Sequence, residues 1–136
     1  MSGQLSFSID ERSGVVHVTG AGLWTPEQVE RHFRSLDLAL RTVRRKHGLA
    51  RTLVDLREAA VQTAETAQMM KDATARIYQP GDRAAAICAT QLLAMQIRRA
   101  AQVHQLATFI DHDAALNWLL SDAPARDALQ SMRANA

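Results

Sequence analysis

A chain of 136 residues with a net charge of +2, 47% hydrophobic and 22% charged residues, is long enough for one well-filled core and too short for two. No apolar run approaches the ~18–20 residues that span a bilayer, and the opening Met-Ser-Gly-Gln-Leu-Ser lacks the basic-then-apolar pattern of a secretion signal. The one cysteine, Cys88, rules out an intramolecular disulfide and fits a reducing cytoplasm, while weak net charge and 4% aromatics speak against a nucleic-acid platform.

Leu5, Phe7 and Ile9 alternate with Ser6, Ser8 and Asp10, a period of two that predicts a strand. Glu11 to Gly14 makes a turn, and Val15 to Thr19 returns as a second strand, so the pair reads as an antiparallel hairpin broken by Gly20-Ala21-Gly22. Thr25-Pro26-Glu27-Gln28 is a helix start: Thr25 caps free N–H groups, Pro26 suits the first helical position, and Gln28 closes a capping box. Val29, Phe33, Leu36, Leu40 and Val43 form one apolar stripe, and Gly48 ends the helix.

Thr52 to Leu56 is a third strand. A helix capped by Thr63 carries Ala67, Met70, Ala73 and Ile77 on one side and stops before Pro80-Gly81. Ala84 to Ala89 is small and apolar, as in a sheet covered on both faces. Thr90 to Val103 reads as helix, Leu106 to Ile110 as the fifth strand, and Asp111 or Asp113 caps a last helix with Ala115, Leu116, Leu119 and Leu120, in which Trp118 should be buried. Residues 122–136 are a polar, alanine-rich tail of this single domain. The order ββαβαβαβα predicts an α/β layered fold around a mixed five-stranded sheet, with an antiparallel hairpin followed by mainly parallel strands and about four helices.

The hairpin Val15-Val-His-Val-Thr19 ahead of a Thr-Pro-Glu helix start, the strand Leu53-Val-Asp-Leu56, and Phe109-Ile-Asp-His-Asp-Ala-Ala-Leu-Asn-Trp-Leu119 carry a resemblance over about residues 4–121. The chain resembles the SpoIIAA-like superfamily, which includes the STAS domains (sulfate transporter and anti-sigma factor antagonist) and the CRAL-TRIO lipid-binding domains. It is most similar to the small stand-alone bacterial SpoIIAA-like proteins of unassigned function. The resemblance implies an Asp-Ser-Ser-Gly type phosphorylation switch after the third strand. Counted without gaps from Asp55, that segment falls on Thr63-Ala64-Glu65-Thr66, so Ala64 and Glu65 stand where serines are expected. Thr63 and Thr66 keep hydroxyls as candidate regulatory positions, but Glu65 already supplies negative charge to the first helical turn.

Catalytic patterns are missing. His17, His32, His47, His104 and His112 form no i, i+4 pair and have no cysteine companion, so no metal is expected and each reads as a surface or strand-end residue. Cys88 reads as buried and structural, and Asp55 as a hydrogen-bonded strand-end residue; no glycine-rich phosphate loop or nucleophile elbow occurs. The chain is expected to be no enzyme and to need no cofactor. Arg41, Arg44 and Arg45 close the first long helix, where they either offset its dipole or contact an anion or anionic lipid. Leu23 and Trp24 put two large apolar side chains on one connecting loop; one is expected to staple the helix start and the other to mark the contact of a homodimer. Two functions remain: a non-catalytic protein-interaction module, or a carrier of a small apolar ligand or lipid.

Overall fold

The computed structural model describes residues 3–121. Strands β1 (Gln4–Ile9) and β2 (Val15–Gly22) form the hairpin; α1 (Pro26–His47), β3 (Arg51–Ala59), α2 (Ala64–Ile77), β4 (Arg83–Cys88), α3 (Gln91–Ala100), β5 (Gln105–Phe109) and α4 (His112–Leu119) follow. The sheet runs in the order β1-β2-β3-β4-β5. β1 and β2 are antiparallel, and β2 to β5 are parallel. Each of the first three helices links neighbouring parallel strands, so the expected mixed α/β architecture is present. The tail 122–136 lies outside the described residues.

Alternation along the strands divides the core into two layers. Val16, Val18, Val54, Leu56, Ala86 and Cys88 face the helices α1 to α3. Leu53, Ala85, Ile87 and Ala107 face α4, which anchors to them through Ala115, Trp118 and Leu119. Every residue of β4 is buried, as its small apolar composition predicts for a strand with helices on both faces. Trp118 is buried against Phe109, with the Arg83 guanidinium 4.0 Å from its ring centroid.

The helix starts follow their local chemistry. Thr25 accepts from the Gln28 N–H while Gln28 accepts from the Thr25 N–H, which closes the capping box. Gly48 ends α1 at φ 86°, a left-handed conformation that costs glycine little. Thr63, Thr90 and Asp111 cap the other three helices.

Three element ends differ from the sequence expectation by three residues. β3 continues to Ala59 and does not stop at Leu56. β2 runs on through Gly20-Ala21-Gly22 instead of breaking, because the longer β3 supplies partners: Ala21 pairs with Glu58 and Gly22 with Ala59 after a register shift past Thr19. Gly20 is required there, since a Cβ would meet the Trp24 ring at 2.7 Å. α3 stops at Ala100 and not at Val103, because Thr74 of α2 accepts the Gln102 N–H at 2.9 Å and pulls the chain out of the helix.

Candidate functional site

Side by side on one face of the sheet, α2 and α3 leave an open groove of about 370 Å³ between them. Its floor and walls include Ala64, Ala67 and Ala100, whose small side chains leave a trough. Val61, Leu92 and Met95 stand along it at 40%, 64% and 40% exposure, three of the seven large apolar side chains that are exposed among the described residues. Apolar side chains gathered in this way mark contact surfaces more often than scattered ones do. Lys71 and Arg99 add positive charge, and among the described residues no lining residue is acidic.

One buried glutamine fixes the geometry of this end of the molecule. Gln62 accepts the Trp24 N–H at 2.9 Å and donates to Gly22 O and Ala60 O at 2.9 and 2.7 Å. Its own backbone exchanges two hydrogen bonds with the Gln96 side chain, at 2.7 and 2.9 Å. The loops before α1 and α2 are thereby tied to α3. The sequence reading did not single out Gln62, since a polar residue in a loop gives no sign of being buried.

Thr63 is exposed at the rim of the groove, where its Oγ1 accepts the Thr66 N–H at 3.2 Å in its capping role. Thr66 is a correction: only 2% exposed, it donates its hydroxyl to Trp24 O at 3.3 Å and presents nothing for modification.

The loop pair Leu23 and Trp24 splits as expected, one in and one out, and Trp24 is removed from the candidate interface. It is 5% exposed in the core with Val29, and its Nε1 donates to Gln4 O and Ala21 O at 2.9 and 3.1 Å. Leu23 stays 50% exposed.

Of the three arginines, Arg44 is also a correction. It reaches inward to the buried Asp82 at 2.6 Å and donates to Ile77 O at 3.0 Å, so it stitches α1 to the start of β4. Arg41 pairs with Asp37 on the surface, and Arg45 is exposed. The three do not converge on a common anion.

His32 is the third correction. It is 8% exposed, set edge-on between the rings of Phe7 and Phe33, and burial pushes its pKa down to about 4. Its place three residues after Val29 and four before Leu36 put it on the apolar stripe, a signal that was available in the sequence. Among the described residues no three His, Cys, Asp or Glu side chains gather as metal ligands. Asp55 is held by Arg57 at 2.7 and 3.0 Å, and that hydrogen bond keeps its pKa below the usual carboxylate value. Burial raises the Cys88 thiol to about 11, the opposite of what a nucleophile needs. A core cavity beside Trp24, His32 and Tyr78 measures only about 60 Å³.

No protein-family model and no curated protein matches the chain. Among solved structures it is similar to an uncharacterized protein from the DUF3478 family with a SpoIIAA-like fold, from Shewanella loihica PV-4. The TM-score is 0.62 at 19% sequence identity, covering 87% of this chain and 93% of that one. The fold is SpoIIAA-like, and at that identity the likeness extends to the fold alone.

Proposed function

We propose that this protein is a non-catalytic interaction module of the STAS type, lacking the phosphorylatable serines, whose α2–α3 groove docks an apolar, acid-flanked segment of a protein partner. The observation that carries this reading is the gathering of Val61, Leu92 and Met95 over an alanine-floored trough with Lys71 and Arg99 beside it. A partner helix with a hydrophobic stripe meets the apolar residues, and acidic flanks meet the two cations. The groove lies beside Thr63, where the family resemblance locates its switch segment; with Ala64 and Glu65 in the serine positions, docking here is constitutive rather than gated by phosphate. The engaged Asp55 and the raised Cys88 pKa support a non-catalytic role. The alternative, a carrier of a small apolar ligand or lipid, is disfavoured by the core cavity of about 60 Å³, since ligand sites usually need ~300 Å³ or more.

Parallel affinity capture from the cells that express the protein, with wild type and Met95→Glu as baits, tests the groove. A partner retained by wild type and lost from a folded Met95→Glu variant is expected. Identical partners on both baits would contradict the assignment.

A further inference from the structure

Among the described residues, β1 borders the sheet and pairs on one side only, with β2. The Asp10 N–H donates to Val15 O at 2.9 Å, and residues in an antiparallel ladder alternate between bonded and non-bonded pairs. Ser8 with His17, Ser6 with Thr19, and Gln4 with Ala21 are then the bonded pairs. The N–H and C=O groups of Leu5, Phe7 and Ile9 therefore point outward from the sheet. The strand Gln-Leu-Ser-Phe-Ser-Ile carries no charge, no proline and no bulge against β2, the devices that usually guard an open edge.

We propose that this edge pairs with the same edge of a second copy of the chain, about a two-fold axis through Phe7 and perpendicular to the sheet. In the register that uses all three outward-facing residues, Leu5 lies opposite Ile9 of the second copy, Phe7 opposite Phe7, and Ser6 opposite Ser8. Apolar side chains meet on the helical face and hydroxyls on the other, so each face is self-complementary. The same axis sets the two α1 helices antiparallel on one face of a continuous ten-stranded sheet. The flank of α1 beside the edge includes Arg31 and Ser35, which border an open groove along Leu5, Ser6 and Phe7. One turn further on, Leu38 is 64% exposed. The opposed dipoles of the two helices attract. The match of apolar with apolar and hydroxyl with hydroxyl on both faces of one strand favours a second copy over an unrelated strand. The contact is remote from the α2–α3 groove, at the β1 border of the sheet, and stands independently of it.

Sedimentation equilibrium of the whole chain, with wild type and Ser6→Lys/Ser8→Lys, tests the pairing. Both serines are exposed, and the substitution sets lysine opposite lysine across the axis. Wild type is expected to dimerise at micromolar concentrations, and the variant to keep its circular dichroism spectrum with a dissociation constant raised at least about tenfold. Hydrogen exchange on wild type gives a second readout: the amides of Leu5, Phe7 and Ile9 should slow as concentration rises. A monomeric wild type, a variant that dimerises as tightly as wild type, or concentration-dependent protection confined to other segments would overturn the proposal.

Discussion

At the residue scale, the side chains that departed from expectation did so because distant parts of the chain claimed them. Thr66 and Arg44 lie on segments that look exposed in sequence, yet each is bound by a group far along the chain: Trp24 O and Asp82. His32 differs, because it sits on the buried stripe without an ionic partner and is neutral in the fold. Its pKa falls from 6.5 to about 4 on burial. A group depressed in this way contributes stability above its unfolded value and loses it as pH falls towards the folded value. Wild type is therefore expected to lose up to about 3 kcal/mol more than His32→Leu between pH 6.5 and about 4. Chemical denaturation across that range measures it, and parallel stability curves for the two proteins would count against the burial of His32.

At the element scale, starts were more legible than ends. A capping box and a C-terminal glycine act within a few residues, so both limits of α1 could be read directly. The end of β2 depends on the length of β3, and the end of α3 depends on a threonine of α2; neither is local. Gln62 is the clearest case of a long-range element tie. Replacing it with alanine strands the buried Trp24 N–H and the carbonyls of Gly22 and Ala60. Gln62→Ala is expected to cost about 2–3 kcal/mol and to speed amide exchange at Trp24 and around the rim of the α2–α3 groove. A loss under about 0.5 kcal/mol, well below the usual cost of an orphaned buried donor, would mean that the loops hold together without it.

At the scale of the whole molecule, the layered fold was legible because period-two and helical patterns alternate along nearly the entire chain, and those patterns decide which faces are buried. The groove was not legible: Val61, Leu92 and Met95 are separated in sequence and come together only when α2 and α3 lie side by side. Ala67 and Ala100 serve both layers, packing against the core cluster and lining the outer trough. None of the helices of the described residues is long and apolar enough to cross a membrane. The proposed interaction module places function on the surface and not at an interior site. Native mass spectrometry of the purified protein tests this most directly: the expected spectrum contains only the mass of the chain and its integral multiples, whereas a small apolar molecule retained in stoichiometric amount would contradict the interaction module and favour the carrier.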